Sequence, residues 1–350
     1  MTEPPEAPSN VPRVARTILS AQHGLEREWL VTNGLGGYAC GTLAGVPTRR
    51  YHGLLIVALP PPLGRMVMLN HLLETVRLPD GTRYALSGFE HVGRALELPD
   101  VADFRLESGL PIWTFRAGSF IIEKRLFLVH CQNTAQVHYQ LLEGDAVVGL
   151  ELCPAVFFRG HHDSLGASHG AYSTHSTGAH VEIRGGDTLP ALRLNILATN
   201  ASFTPDEQQF AELRYRAEEE RGYDWVGDLW SPGRFSLELR TGHQAALIAS
   251  TEAWERIPAP AEARAAEEQR REHVLAQAPP VARTSPAAEL VLAADAFLVT
   301  PVRAEHAEVH SVIAGYPWFS DWGRDTMIAL EGLTLSTGRH TEARAITSGC

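Results

Sequence analysis

The stretch Trp113-Thr114-Phe115-Arg116-Ala117-Gly118 decides the fold class of the first two thirds of the chain. Its apolar side chains alternate with polar ones, and a period of two places the apolar set on one face of a half-buried strand. The same alternation recurs over 137–141 and 235–239. Turn signals separate such runs, at Pro79-Asp80-Gly81, Ala117-Gly118, Gly185-Gly186-Asp187 and Thr241-Gly242. Many short strands with few helices between them predict an antiparallel β-sandwich.

Helix-forming sequence follows the strand region. Residues 258–280 are rich in Ala, Glu and Arg, are bounded by prolines and have little apolar surface, which predicts a helical linker. A packed helix is expected to begin with Ser285 as its N-cap and Pro286 at its first position. Its apolar stripe consists of Ala287, Leu290, Val291, Ala294, Phe297 and Leu298. Further helices are expected over 326–336 and from Thr341 to Ser348.

These patterns divide the chain into four parts. We predict a disordered tail over 1–16, a β-sandwich over 17–255, a helical linker over 256–284 and the first helices of a further domain over 285–350. Two and a half helices cannot enclose a core of their own. We therefore expect either that they pack on the sandwich or, as the favoured alternative, that the natural protein continues beyond Cys350.

Composition excludes several classes of function. The formal charge of −11 argues against nucleic acid, which needs clustered Lys and Arg. No window approaches the ~18 to 20 apolar residues of a membrane span, and the first twelve residues lack the apolar core of a secretory signal. The cysteines lie far apart, at Cys40, Cys131, Cys153 and Cys350. Isolated thiols without a signal predict a cytoplasmic protein.

The segment 314–326 gathers the residue types that bind sugars. It reads Ala-Gly-Tyr-Pro-Trp-Phe-Ser-Asp-Trp-Gly-Arg-Asp-Thr. Aromatic rings can cover the apolar face of a pyranose, and charged groups can hold its hydroxyls. The candidate binding residues are Trp318, Asp321, Trp322, Arg324 and Asp325. In a purely structural alternative the tryptophans are core residues and Asp325 is the N-cap of the next helix, but that leaves the arginine and the second aspartate unexplained.

Residues 315–333, Gly-Tyr-Pro-Trp-Phe-Ser-Asp-Trp-Gly-Arg-Asp-Thr-Met-Ile-Ala-Leu-Glu-Gly-Leu, resemble the signature of the catalytic domain of glycogen-debranching enzymes, the amylo-α-1,6-glucosidases. A second stretch, 28–38 with 41–42 and 48–55, is similar to the opening of the N-terminal sandwich domain in bacterial and archaeal members of that family. Weaker matches at 157–159 and 219–235 extend the resemblance over most of residues 25–345.

The resemblance implies a fold and a site. A six-hairpin α/α barrel, related to that of glucoamylases, would begin in the helical part and bind an α-glucan such as glycogen or limit dextrin. Arg324 and Asp325 would clamp the hydroxyls of the terminal glucose in the −1 subsite, with Trp318 and Trp322 shaping its wall. The general acid and base of an inverting reaction would come from later barrel loops, beyond Cys350.

The spacing of the two aspartates supports a role in binding glucose and not in cleaving the bond. Asp321 and Asp325 lie four residues apart on one loop and would share one side of the sugar, whereas glycoside hydrolysis needs carboxylates that flank the scissile bond. We therefore expect no catalytic residue in this chain and no activity on branched glucan. Nothing in the sequence calls for a metal or a cofactor.

A glycine-rich stretch offers a competing interpretation. Gly34-x-Gly36-x-x-Ala39 formally satisfies a dinucleotide fingerprint, but that motif needs a helix directly after the glycines. Gly41, Gly45 and Pro47 interrupt any such helix, so tight turns between strands are the better explanation. The residues that follow are expected at a domain contact or at the rim of the site; they are Arg49, Arg50, Tyr51 and His52.

A histidine-rich stretch suggests a metal site, but its spacing fits no ligand pair. It comprises His161, His162, His169, His175 and His180. Because Ser, Gly and Ala surround these histidines, we predict a flexible surface loop.

Two other functions stay open: a different α/α-barrel glucosidase, which a substrate panel would distinguish, and a non-catalytic glucan-binding protein, which would lack carboxylates in the later barrel loops.

Overall fold

The computed structural model describes residues 13–15, 21–167, 170–302 and 310–348. Its strands are β1 Arg13–Ala15, β2 Glu28–Thr32, β3 Tyr38–Thr42, β4 Gly53–Ala58, β5 Arg65–Leu69, β6 His71–Arg77, β7 Arg83–Ala85, β8 Val101–Glu107, β9 Leu110–Ala117, β10 Phe120–Leu128, β11 Thr134–Glu143, β12 Val148–Ala155, β13 Arg159–Gly160, β14 Ser173–Thr177, β15 His180–Arg184, β16 Leu192–Leu197, β17 Thr199–Arg214, β18 Val226–Leu239, β19 Gln244–Ser250, β20 Leu298–Val299 and β21 Ser311–Val312. Its α-helices are α1 Ala21–Glu26, α2 Arg216–Glu220, α3 Pro260–Gln277, α4 Ala287–Asp295, α5 Gly323–Leu333 and α6 His340–Ser348. Short 3₁₀ helices occur at Trp254–Arg256, Pro280–Ala282 and Leu335–Thr337.

The strands build a β-sandwich. Within the described residues they form antiparallel sheets of nine, five, five and two strands. The nine-stranded sheet runs in the order β1-β8-β9-β10-β11-β19-β16-β15-β14, and the five-stranded sheets run β17-β18-β12-β6-β7 and β13-β5-β4-β3-β2. One hydrophobic core lies between the large sheet and the two smaller ones. A mainly antiparallel β domain followed by a helical segment is confirmed.

The edge contact of two tryptophans illustrates this core. Trp29 of β2 meets Trp113 of β9 with ring centroids 5.3 Å apart, a geometry that adds to the burial of apolar area. A charged group is also buried between the sheets, because Lys124 donates to Glu74 at 2.7 Å. Tyr139 donates a second hydrogen bond to the same carboxylate, so the buried charge is paired on both sides.

Alternation along the strands holds where one face meets solvent. In β18 the residues Phe235, Leu237 and Leu239 are buried, as the sequence predicts. Strand β11 differs, because both of its faces are buried over most of its length. The segment that leads into α3 covers the outer face, where Gln136 donates to the carbonyl of Pro258 at 3.3 Å.

The helices occupy almost the predicted places, with shifted ends. Helix α4 begins at Ala287 after Pro286, and no side chain caps it, so the prediction of Ser285 as N-cap was wrong. Leu290 is 72% exposed, although the predicted stripe would bury it. The helix ends at Asp295 because Leu298–Val299 pairs as β20 with β21. Among the described residues no helix is long and apolar enough to cross a membrane.

The predicted linker helix α3 packs against its neighbours on two sides. Ala263 enters the main core, and Arg271 donates to the carbonyl of Ser108 at 2.8 Å. Val274 packs with Val291 and Leu292 of α4. Helix α3 therefore packs on the sandwich, and α4 packs on α3. Within the predicted disordered tail, Arg13–Ala15 forms β1 and pairs with β8, so the prediction was wrong for these residues. Residues 1–12, residue 16, His169 and Cys350 lie outside the described residues.

Candidate functional site

The sugar-binding candidates lie on a compact loop between β21 and α5. We call residues 314–322 the aromatic segment. It is closed by backbone hydrogen bonds from Ala314 to Ser320 at 2.9 Å and from Phe319 to Gly315 at 2.8 Å. Its shape is therefore fixed largely by its own backbone, and it presents its side chains to the sandwich on one side and to solvent on the other.

Arg65 of β5 attaches the aromatic segment to the sandwich. Its Nη1 donates to the carbonyl of Pro317 at 3.1 Å, and its Nε donates to the carbonyl of Gly36 at 2.8 Å. The guanidinium carbon lies 4.8 Å from the ring centroid of Tyr316, within the range of a cation–π contact. The same ring meets Tyr38 edge-on at 5.5 Å. The start of the segment is thus anchored on β3 and β5.

Trp318 is held by side chains from distant parts of the sandwich. The guanidinium carbons of Arg49 and Arg221 lie 5.8 Å and 5.6 Å from its ring centroid. The edge of Tyr51 approaches it at 6.3 Å, and the hydroxyl of Tyr51 lies within hydrogen-bond distance of Nδ1 of His162, at 3.3 Å. The structure thereby brings Arg49 and Tyr51, from the first family-like motif, onto the second.

Arg49 is fixed in place by Glu28. Its Nε donates to the carboxylate at 2.6 Å, and His52 bonds to the same oxygen at 3.2 Å. Burial by itself would raise the pKa of Glu28, but the hydrogen bonds from His52 and Arg49 and the charge of Arg49 outweigh it and lower the pKa to about 2. Nδ1 of His52 accepts from the amide of Thr48 at 3.0 Å, so Nε2 carries the proton that is donated to Glu28.

The other two members of that motif lie away from the aromatic segment. His52 is buried at 4% exposure, and Arg50 pairs with Glu218 of α2 at 3.3 Å. The glycines before the motif form the β2–β3 hairpin, and a strand follows them, not a helix. Gly34 has a φ of +75°, and a Cβ there would lie 2.4 Å from the ring of His130, so this turn requires glycine.

A cleft of about 650 Å³ separates the aromatic segment from the sandwich. Its size falls in the ~300–1,000 Å³ range of sites for small ligands. The sandwich side contributes Leu35, Leu63, Arg65, His161, His162 and Asp163, and the helical side contributes Ile313, Trp318, Phe319, Asp321 and Trp322. Apolar walls with a few polar groups are typical of sites that bind a sugar ring.

Of the remaining candidates, Asp321 and Trp322 line the cleft, and Arg324 and Asp325 follow them at the start of α5. Trp322 is 57% exposed, and Asp321 accepts from Ser311 at 3.0 Å. Arg324 and Asp325 pair at 3.3 Å in the first turn of α5, with side chains 79% and 40% exposed. Trp322 occupies the N-cap position, and no side chain caps the helix, so Asp325 is not its N-cap.

Two residues of the cleft escaped the sequence interpretation. His161 is 8% exposed, and His175 and His180 are exposed but lie on the paired strands β14 and β15, so the prediction of a flexible surface loop was wrong for these three; His162 is exposed. Burial lowers the pKa of His161 to about 3. Arg65 carries no local signal, because its partner Pro317 lies 252 residues away. Within the described part of the chain no group of His, Cys, Asp or Glu could hold a metal ion.

Family comparison agrees with the two motifs. The family model for the N-terminal part of glycogen debranching enzymes matches residues 27–246, more than half of the chain. The chain belongs to this debranching-enzyme family. A second model, described as amylo-alpha-1,6-glucosidase, matches residues 292–349 and so includes the aromatic segment and α5. The resemblance read from the sequence is confirmed. No curated protein matches the sequence.

Three solved structures that are similar to the chain are remote from it in sequence. A bacterial glucoamylase complexed with acarbose is 9% identical over 97% of this chain and 52% of its own, with a TM-score of 0.46. A putative kojibiose phosphorylase from the human microbiome is 8% identical over 80% and 37%, with a TM-score of 0.37. A polysaccharide lyase is 13% identical over 71% and 33%, with a TM-score of 0.29. The chain spans about half the length of the glucoamylase.

Proposed function

We propose that this chain is the glucan-holding part of a debranching α-1,6-glucosidase that acts on glycogen or limit dextrin. One observation carries the proposal. The aromatic segment is anchored on the sandwich by Arg65 and Arg49, and its exposed Trp322 lines a cleft and directly precedes the first turn of α5, which carries the Arg324–Asp325 pair. The debranching-enzyme family match over both parts of the chain supports the choice of an α-glucan.

Each group has a role in this proposal. Trp322 stacks on the apolar face of the terminal glucose. Trp318 and Asp321 form the edge of the binding site for this glucose. Arg324 donates to the glucose hydroxyls, and Asp325 accepts from them. Charge-assisted hydrogen bonds of this kind contribute about 1.5 to 3 kcal/mol each, which suffices to select the orientation of a hydroxyl group.

The hydrolytic step needs other residues. A general acid must stay protonated at neutral pH, which requires an apolar environment. Asp321 is exposed and accepts a hydrogen bond from Ser311, and the side chain of Asp325 is 40% exposed and paired with Arg324. The two aspartates are also only four residues apart in the chain. We propose that neither is the acid, that an inverting pair of carboxylates is supplied elsewhere in the enzyme, and that this chain alone binds glucan without cleaving it.

Isothermal titration with methyl α-glucoside and maltotetraose tests the binding part. Because one charge-assisted bond is lost, Asp325→Asn is expected to weaken the binding of both sugars by about tenfold or more. Asp206→Asn is a matched control, since Asp206 also pairs with an arginine, Arg234, and is 42% exposed, but on the sandwich edge. Its affinities are expected to equal those of the wild type.

The same samples, incubated with limit dextrin and assayed for free glucose, test the catalytic part. No glucose release is expected. If Asp325→Asn bound both sugars as tightly as the wild type, the clamp role would be wrong. Clear turnover by the chain would contradict the assignment of catalysis to other residues, and absence of any sugar binding would contradict the proposed function as a whole.

A further inference from the structure

A second hollow lies beside strand β17, the last strand of its five-stranded sheet. Its volume is about 270 Å³, and its lining includes Tyr172, Glu207, Gln209 and Trp230. We call it the edge hollow. None of its lining residues lines the cleft below the aromatic segment. The edge hollow is therefore a separate feature of the sandwich, which the proposed function does not use.

Two aromatic rings form one wall of the edge hollow. Tyr172 and Trp230 stack with their ring centroids 4.9 Å apart and their planes 25° from parallel. The hydroxyl of Tyr172 accepts from the amide of Phe158 at 3.0 Å, and its ring meets that of Phe158 edge-on at 5.1 Å. Both stacked rings are only partly buried. Rings that are fixed before binding offer apolar area at a low cost in conformational entropy.

Polar groups with unused hydrogen-bonding capacity lie beside these rings. Gln209 is the direct cross-strand partner of Trp230, so their Cβ atoms are about 4.5–5.5 Å apart. Just before it β17 bulges, because residues 206 and 207 together oppose Pro232, and a bulge changes the direction of a side chain. Among the described residues, exposed Glu207 has no ion pair or hydrogen bond. Nε1 of Trp230 has no partner there either, yet it is accessible to solvent.

The chemistry of these groups specifies the class of ligand. An indole N–H only donates, and a carboxylate only accepts, so the ligand must offer both acceptors and donors. Glu207 and the neighbouring Asp228, which accepts from Gln209 at 3.3 Å, disfavour an anion. A sugar ring carries hydroxyls that donate and accept, and its apolar face suits an aromatic wall. The edge hollow thus combines the same residue types as the aromatic segment.

We propose that the edge hollow is a second binding site for α-glucan, separate from the clamp that holds the terminal glucose. This inference rests on the proposed function, because it takes the ligand to be an α-glucan. The hollow is smaller than the ~300–1,000 Å³ of sites that enclose a drug-sized ligand, so it holds a short part of a chain and binds free oligosaccharides weakly. Glycogen carries many chains. Once the clamp holds one of them, binding of another in the hollow is intramolecular and strengthens the attachment to the polymer.

Glycogen and methyl α-glucoside distinguish the two sites. The double variant Glu207→Gln/Trp230→Phe removes the carboxylate and the indole N–H but keeps an aromatic ring in the wall. We expect it to bind glycogen about tenfold more weakly than the wild type in affinity electrophoresis, and to keep the wild-type affinity for methyl α-glucoside in titration calorimetry. Trp254→Phe/Glu255→Gln is the matched control, because Trp254 is also partly buried beside another ring and Glu255 is exposed, but neither lines the hollow.

A measurement on the wild-type chain decides the question even if the variant misfolds. The indole ¹H–¹⁵N resonance of Trp230, assigned by its absence in Trp230→Phe, is expected to move on addition of excess maltoheptaose, whereas that of Trp254 stays in place. If the resonance of Trp230 does not move and the two double variants bind glycogen equally well, the second site is overturned and the clamp stands. If Asp325→Asn has no effect on methyl α-glucoside, the proposed function fails instead.

Discussion

Arg49 is the residue whose role the structure defines most sharply. Its guanidinium pairs with Glu28 of the sandwich and lies over Trp318, so it connects the sandwich to the aromatic segment. Arg49→Met removes a partly exposed cation–π contact worth about 0.5–1 kcal/mol. We expect maltotetraose affinity to fall by about two- to fivefold, as measured by titration calorimetry, because Trp318 is no longer fixed.

Arg193 provides the control for this prediction. It also pairs with a glutamate, Glu182, at 3.1 Å, and its guanidinium carbon lies 6.0 Å from the ring centroid of a tryptophan, Trp254, away from the cleft. Arg193→Met should lose a similar amount of thermal stability but no affinity. Equal affinity losses in the two variants would show that Arg49 acts only through general stability.

The residues of the cleft differ in how far the sequence predicts them. The motif 322–325 contains Trp322, Arg324 and Asp325. Its sugar-binding chemistry can be predicted without a structure. The positions of His161 and Arg65 cannot be predicted in this way, because both residues lie beside the aromatic segment, which comes more than 150 residues later in the chain. A single sequence does not encode that contact in any local pattern.

At the scale of elements, Asp295 links three helices. It is 11% exposed and accepts from Arg270 of α3 at 2.7 Å and from Arg339, just before α6, at 2.6 Å. Asp295→Asn leaves two arginines short of a buried partner, which costs about 3 kcal/mol. We expect amide hydrogen exchange in α4 and α6 to accelerate on the order of 100-fold, while the strands of the sandwich keep their protection.

Glu268→Gln serves as the comparison within α3. Glu268 is 41% exposed and pairs with Arg264 on the surface at 2.8 Å, and such pairs contribute ~0–1 kcal/mol. Its exchange pattern should match that of the wild type. Slow exchange in Asp295→Asn would mean that apolar packing, for instance of Val274 on Val291, holds the helices without the ion pairs.

Periodicity predicts elements well only where their surroundings are simple. Strand β18 has one face in the core and one toward solvent, so its alternation reveals it. Strand β11 is buried on both faces by elements from elsewhere in the chain. The sequence of β11 itself therefore does not predict that its outer face is buried. Helix α3 was predicted from propensity, but its packing depends on ion pairs such as Arg271–Glu267 at 2.6 Å, which an apolar stripe cannot show.

At the scale of the whole molecule, buried histidines set the response to acid. Burial lowers the pKa of His71 to about 3, that of His161 to about 3 and that of His138 to about 4, whereas their unfolded pKa is about 6.5. Between these values only the unfolded chain takes up the protons. The free energy of unfolding therefore rises with pH across this window. The stability that the neutral histidines contribute is fully present above about pH 6.5 and is lost as the pH falls toward their folded pKa.

Each such histidine contributes a slope of up to about 1.4 kcal/mol per pH unit. We expect His71→Phe to flatten the dependence of the free energy of unfolding on pH between about 4 and 6 by that amount, measured by urea denaturation at half-unit steps. His175→Phe, which changes an exposed residue of β14, should leave the slope of the wild type intact. Parallel curves for all three proteins would show that His71 is protonated in the folded state too. The acid sensitivity of the sandwich would then come from carboxylates such as Glu28, whose stabilisation is lost only as the pH falls from about 4.5 toward 2.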